Sequence, residues 1–248
     1  MDLGLRGKVC VVTGSTGGIG LATAQQLREE GATIVTSGRS EEGIGDLHVA
    51  ADLAQPGEPQ RVVGAALERF GRVDCLVNNV GWAEIHRFED LDEEMWERSW
   101  QINVMSAVRA LRAALPAMQQ AGAGAIVNVA SSAGKRPSTS MPEYSVMKAA
   151  LLSLSRLVAD LYAKHGIRCN AVTPGPTGTE AWLAEGGLAE QQGSRDEVLA
   201  KVAAGRPLGR LAEPHEIAAA IVFLCSERAS FVTGAAWSVD GGTVAIII

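Results

Sequence analysis

Short apolar, β-branched runs alternate along this chain with longer stretches whose apolar positions recur every three or four residues. Residues 8–13 (KVCVVT), 33–37 (TIVTS), 73–78 (VDCLVN), 125–130 (AIVNVA), 167–172 (IRCNAV) and 235–240 (AAWSVD) read as strands, with 46–50 (DLHVA) a weaker seventh. Most are continuously apolar, the pattern of strands covered on both faces of a parallel sheet. Between them, Val104, Val108, Leu111, Leu115 and Met118 keep the spacing of one apolar stripe on a long helix. Gly31 stands where a helix ends and a strand begins. The repeated β-α order predicts an α/β fold with a doubly wound, mostly parallel, seven-stranded sheet and right-handed crossovers. Such sheets bind ligands at the carboxyl ends of their strands.

Two stretches break the rhythm. Too few residues separate SGRS from ADL for a full helix, so a loop is expected there. Residues 177–205 carry short helical patterns, many small residues and the pair Gly186-Gly187, and read as a lid over a substrate.

Composition adds limits. With 248 residues, 47% of them hydrophobic, one domain spanning 1–248 can bury a sizeable core. A net charge of −6 leaves no basic stripe for nucleic acid. The apolar runs AAAIVFLC and AIII are far shorter than the roughly 20 residues of a membrane-spanning helix, so no membrane role is expected. Glycine and charge interrupt the opening MDLGLRGKVCVVTG, which has no signal-peptide layout. Cys10, Cys75, Cys169 and Cys225 are scattered and read as reduced core thiols, which suits a cytoplasmic protein.

The stretch VVTGSTGGIGLATAQQL runs from strand to helix through Gly14, Gly18 and Gly20. Glycines there let a pyrophosphate approach main-chain N–H groups and the positive end of a helix. In the first strand–loop–helix of an α/β chain, this is the position of a Rossmann-type dinucleotide fingerprint. An acid at the end of the second strand would hold the ribose hydroxyls of NAD. This chain has Gly38 and then Arg39, and a guanidinium forks onto a phosphate. NADP is therefore expected, with NAD the other possibility.

Tyr144 and Lys148 stand four residues apart on a helical pattern, so their side chains are neighbours. A nearby ammonium favours a phenolate, and the phenol can then pass a proton to a forming alkoxide or take one from an alcohol. Spacing alone also permits two side chains that merely share a face. Tyr162, the only other tyrosine, has Gly166 at the corresponding position.

Taken together, these motifs resemble the short-chain dehydrogenase/reductase family along essentially the whole chain, in overall style its 3-oxoacyl-carrier-protein reductases. The pattern T-G-x-x-x-G-x-G appears as residues 13–20, N-N-A-G as NNVG (78–81), Y-x-x-x-K as Tyr144 to Lys148, and the ending as VDGG. The family serine, thirteen residues before the tyrosine, falls on Ser131, and the helix-four asparagine on Asn103. The resemblance implies that Tyr144 is the general acid/base and that Lys148 lowers its pKa and binds the nicotinamide ribose. It implies that Ser131 bonds the substrate oxygen and that Asn103 holds a water linking Lys148 to solvent. Gly14, Ser15, Thr16, Gly18, Ile19 and Gly20 would form the pyrophosphate loop, with Arg39 at the adenosine ribose. Asp52 and Leu53 would contact the adenine. Asn79, Gly81, Pro174, Gly175 and Thr177 would contact the ribose and nicotinamide end. Where many NADP-using members carry a basic residue, this chain has Thr16 and Gly17, so NADP preference rests on Arg39.

The implied activity is hydride transfer between a ketone and a secondary alcohol, on a 3-oxoacyl thioester or on a polyol, steroid or polyketide-like molecule. The alternative from another class is a dinucleotide-binding sensor or scaffold without turnover. No metal is expected, since His48, His86, His165 and His215 are isolated; His86, following NNVG, reads either as a surface histidine, the preferred reading, or as one that reaches a substrate pocket. Lys135 and Arg136 read either as a solvated turn or as cations attracting an acidic substrate. The stripe 104–118 and the stripe Leu154, Leu157 and Leu161 could each serve the core or an interface. The resemblance implies that these two helices pair across a dimer axis, so a homo-oligomer, dimer or tetramer, is expected, with the apolar tail inviting burial against another subunit.

Overall fold

A computed structural model describes residues 2–245 of the chain. The first strand, β1 (Val9–Val12), is apolar on both sides because both sides are covered. Val9 and Val11 join a core beneath one layer of helices, while Cys10 and Val12 join a second core on the opposite face. The first helix, α1 (Gly18–Glu29), returns the chain to β2 (Thr33–Gly38) and then to β3 (Leu47–Ala50) at the sheet edge. No helix joins β2 to β3. Asp46 Oδ2 instead accepts the N–H of Ile34 at 2.7 Å, tucking the short loop against β2.

Beyond α2 (Glu58–Phe70) come β4 (Cys75–Asn78) and α3 (Glu93–Trp100), which runs through a π-helical turn at Gln101–Met105 into α4 (Ser106–Ala121). The strand β5 (Gly124–Val129) is followed by the long α5 (Pro142–Tyr162), β6 (Ile167–Pro174), α6 (Glu180–Leu183), α7 (Arg195–Ala204), α8 (Pro214–Cys225) and β7 (Ala236–Val239). All seven strands are parallel, in the order β3-β2-β1-β4-β5-β6-β7. Residues of α2, α4 and α5 pack on one face and residues of α1 and α8 on the other, the two layers of a doubly wound sheet.

The order reverses between β1 and β4, and ligands of open α/β sheets bind where strand order reverses. The chain segments that follow β1, β4, β5 and β6 all leave the sheet at this end. Across it, Asn78 on β4 donates to Asn128 on β5 at 2.8 Å, and Asn128 donates to Ser155 of α5 at 2.8 Å. This buried polar ladder ties the two strands to the helix that carries Tyr144.

Of the two apolar stripes, the one through α4 serves the core: Val104, Leu111, Leu115 and Met118 are buried. The stripe on α5 is divided. Leu154 packs inward, whereas Leu157 and Leu161, with Val146 on the same helix, are more than half exposed. The apolar tail after residue 245 lies outside the described residues.

Candidate active site

The start of α5 places Tyr144 and Lys148 one turn apart, and the Lys148 Nζ stands 5.5 Å from the Tyr144 ring centroid. Lys148 is 2% exposed and donates to the Val129 carbonyl at the end of β5 at 2.9 Å. Burial pulls its ammonium down to about 8. Burial pushes the Tyr144 phenol up from its ordinary value, against a hydrogen bond with the Ser131 hydroxyl that pulls it down. The net direction is the reverse of the one that the Tyr-Lys spacing predicts, because removal from water disfavours the phenolate.

Ser131 follows β5 in extended conformation, and its Oγ also accepts the Ala133 N–H at 3.1 Å. That bond holds the hydroxyl at the head of the turn facing Tyr144.

Asn103 lies in the π-helical turn and is 1% exposed. Its Oδ1 accepts the Trp82 N–H at 3.1 Å, and its Nδ2 donates to the Trp82 carbonyl at 3.0 Å and to the Ser99 carbonyl at 3.1 Å. The amide thus clamps the chain just after β4. Gly81 sits between Asn103 and Lys148: a Cβ there would lie 2.9 Å from Nζ and 3.1 Å from Oδ1. Its lack of a side chain is what lets these groups converge.

The expected cofactor residues gather at the same sheet end. Asn79 donates to the Gly14 carbonyl at 2.9 Å and the Thr13 carbonyl at 3.1 Å, fastening the loop after β4 to the glycine loop. Ser15 donates from its hydroxyl to Val12 at 2.8 Å and accepts the Ser37 N–H at 3.0 Å, so its side chain is engaged within the fold. Gly18, Ile19 and Gly20 form the first turn of α1. Thr16 packs on Gly38 so closely that a Cβ at 38 would meet its methyl at 2.5 Å. An acid at the end of β2 would therefore require Thr16 to shift. Arg39 follows, exposed, with no hydrogen bond or ion pair from its guanidinium among the described residues.

Asp52 is exposed and caps the Ala54 N–H at 3.2 Å, while the Leu53 side chain belongs to the core. Pro174 ends β6, and the Gly175 N–H bonds Val239 at 3.1 Å. Thr177 is buried, its hydroxyl donating to the Gly175 carbonyl at 3.0 Å. In the 177–205 segment Leu188 and Ala189 are buried anchors, and Gln191 Oε1 accepts the Ile85 N–H at 3.0 Å. The segment therefore lies across the chain that follows β4.

Two expectations change. His86 is not a surface histidine: its side chain is 14% exposed, and its Nδ1 meets the buried carboxylate of Glu143 at 3.0 Å. Residues 57 positions apart carry no pairing signal in sequence. Lys135 is not a free cation of a solvated turn; at the surface its Nζ donates to the Ala236 carbonyl at 2.7 Å and the Ser238 hydroxyl at 2.9 Å, bracing β7. Among the described residues no group of His, Cys, Asp or Glu could hold a metal, and no helix is long and apolar enough to cross a membrane.

Residues 14–244 match the family model described as Enoyl-(Acyl carrier protein) reductase. The chain belongs to the short-chain dehydrogenase/reductase family. It is an oxidoreductase acting between CH–OH and C=O groups. It is 38% identical to an uncharacterized oxidoreductase, YvrD, of Bacillus subtilis, over 98% of this chain and 99% of that protein. It is 39% identical to a cis-4-hydroxycyclohexanecarboxylate dehydrogenase of Sinomonas cyclohexanicum, over 96% and 97% of the two chains. Among solved structures, the L-sorbose reductase of Gluconobacter frateurii, complexed with NADPH and L-sorbose, superposes with a TM-score of 0.93 at 38% identity, covering 100% of both chains.

Proposed function

We propose that this family member interconverts a hydroxylated ketone and the corresponding secondary alcohol with NADP(H), using Tyr144 as general acid/base. The observation that carries this reading is the half-buried Tyr144, one helical turn from the buried Lys148 ammonium and close enough to the Ser131 hydroxyl for that group to pull its pKa down. When bound, the cofactor supplies or accepts the hydride at carbon. The Tyr144 hydroxyl donates its proton to the substrate oxygen during reduction and takes it back during oxidation. Ser131 donates a hydrogen bond to the same oxygen as charge develops there. Lys148 holds the ribose and favours the phenolate once Tyr144 has released its proton. Asn103 holds the chain after β4 in register with Lys148 and serves the proton relay.

Gly14, Ser15, Thr16, Gly18, Ile19 and Gly20 would hold the pyrophosphate, and Arg39 would take the 2′-phosphate. Asp52 and the main chain at Leu53 would border the adenine. Asn79, Gly81, Pro174, Gly175 and Thr177 would hold the ribose and nicotinamide end. The convergence allowed by Gly81 and the fastening of the glycine loop by Asn79 support this fit. The NADPH complex of the L-sorbose reductase supports the choice of cofactor.

A hydroxylated ketone is preferred because relatives bear names such as L-sorbose reductase and L-rhamnose 1-dehydrogenase. A 3-oxoacyl thioester is the second reading, favoured by the acyl-carrier description of the family model. The engagement of Lys135 with β7 weakens it by removing one cation from the cleft. The exposed apolar side chains of Val146, Leu157 and Leu161 support a homo-oligomer paired through α5. Four free, buried cysteines suit a cytoplasmic setting.

The test follows NADPH absorbance with L-sorbose, acetoacetyl-CoA and cyclohexanone, for the wild-type protein and Tyr144→Phe. Turnover by the wild type should fall by about 10²–10⁴ in the variant while NADPH still binds. Equal rates in the two proteins would sink the assignment of Tyr144. Cofactor binding with no turnover by either would favour a non-catalytic dinucleotide sensor.

A further inference from the structure

Glu143 immediately precedes Tyr144, and it is 2% exposed. A buried carboxylate is costly unless it is paired and hydrogen-bonded. Its Oε1 lies in hydrogen-bond contact with His86 Nδ1 at 3.0 Å, and its Oε2 has no hydrogen-bond partner among the described residues. On the far side of the ring, Nε2 faces the part-exposed Glu84 carboxylate at 3.5 Å.

The imidazole holds a strategic piece of chain. The His86 N–H donates to the Ser140 carbonyl at 3.0 Å, and the adjoining Ile85 N–H donates to Gln191 at 3.0 Å. Residues 82–87 are thus fastened to the turn before α5, to the first turn of α5 and to the 177–205 segment. At its other end the same loop is clamped by Asn103. An apolar pair of equal volume would hold the loop at lower electrostatic cost. What a charge-assisted hydrogen bond adds is direction, since the N–H must point along one line to Oε1. Placement errors of about 1 Å at a reacting centre cost roughly 10²-fold in rate.

We propose that His86, held by Glu143, is a positioning residue that sets how the loop after β4 presents the substrate carbonyl to Tyr144. The pair acts through the loop and through the α5 turn, and has no part in holding the cofactor. This rests on the reading of Tyr144 as the general acid/base.

The experiment compares His86→Leu, Glu143→Leu and the double variant with the conservative His86→Asn and Glu143→Gln. It uses whichever of L-sorbose, acetoacetyl-CoA and cyclohexanone the wild type reduces fastest. Asn at 86 keeps an N–H where Nδ1 stands, and Gln at 143 keeps the acceptor. Each leucine variant should lose about tenfold or more in kcat/KM for the ketone, with NADPH Kd within about twofold of wild type. The two conservative variants should recover to within about threefold, and the double variant should be no worse than either single one. The double variant removes the buried charge together with its partner, so it keeps the test open if His86→Leu does not fold. Wild-type kcat/KM in the double variant overturns the proposal. So does a loss in which NADPH Kd, thermal stability and kcat/KM worsen together without recovery in the conservative variants, the mark of a purely structural role. Turnover that survives Tyr144→Phe or is absent in the wild type overturns the functional reading instead, and this proposal with it.

Discussion

Asn103 receives the N–H of Trp82 at 3.1 Å and returns its own amide to the same residue's carbonyl at 3.0 Å. Both main-chain groups of Trp82 are therefore satisfied by one side chain. Replacing Asn103 by alanine leaves a buried N–H and carbonyl without partners, at a cost of about 1–3 kcal/mol. Because Gly81 lies between this clamp and Lys148, kcat should fall more than stability alone accounts for. Denaturant unfolding and steady-state kinetics on Asn103→Ala check this. A variant with full stability and full kcat would show that the clamp is dispensable.

Gly81→Ala tests the convergence itself. The added methyl would lie 2.9 Å from Lys148 Nζ, the end of a flexible side chain that donates to the Val129 carbonyl. The ammonium must move, and reduction should slow by up to about 10²-fold. Thermal melting should change little, since the clash is with the flexible end of a side chain. Unaltered turnover would mean that Lys148 tolerates displacement.

The cofactor choice is open to a two-site test. Gly38→Asp alone, the obvious change toward NAD, puts a Cβ 2.5 Å from the Thr16 methyl and should weaken binding of both dinucleotides. Combined with Thr16→Gly, the same aspartate should fit, repel a 2′-phosphate and shift the Kd ratio toward NAD. Arg39→Ala should weaken NADPH alone. Fluorescence titration with both reduced cofactors reads all three, and unchanged NADPH affinity in Arg39→Ala would remove that residue from the site.

The depressed Lys148 ammonium makes a prediction with a definite sign. Its value falls from an ordinary 10.5 to about 8 in the folded protein. Below pH 8 the buried charge is present and unfavourable to the fold; between 8 and 10.5 the folded protein sheds the proton first, and the penalty fades. Lys148→Met should therefore melt higher than wild type at pH 7, by about 1–3 kcal/mol after loss of the Val129 bond, and this advantage should shrink as pH rises through that window. The kcat/KM of the wild type should fall as pH rises through about 8. Melting curves that differ by the same amount at every pH would contradict the assignment.

Much of the architecture is legible from local pattern. Six strands and the short loop after Arg39 follow from apolar runs and spacing, and the faint DLHVA strand is present because the edge of the sheet asks only one side of it to be covered. Tyr144 and Lys148 meet because helical spacing brings them together. The position of Ser131 comes from family spacing. Other features were beyond reach. His86 and Glu143 are 57 residues apart and meet only because β4 and β5 are neighbours. Lys135 looked free because β7, which takes its ammonium, lies about a hundred residues further on. The π-helical turn that turns Asn103 toward Trp82 has no signal in an apolar stripe read at a constant helical period.

By itself, then, the sequence determined the elements, their parallel arrangement and the residue types available for proton transfer, because hydrophobic periodicity and short-range spacing are properties of neighbouring positions. The tertiary structure decided the environment of each group: that Lys148 is dry and depressed, that Thr16 excludes a side chain from position 38, and that Glu143 is buried against His86. Burial, close approach and hydrogen-bond partnership depend on contacts between distant segments, which exist only once the sheet has closed over its two cores.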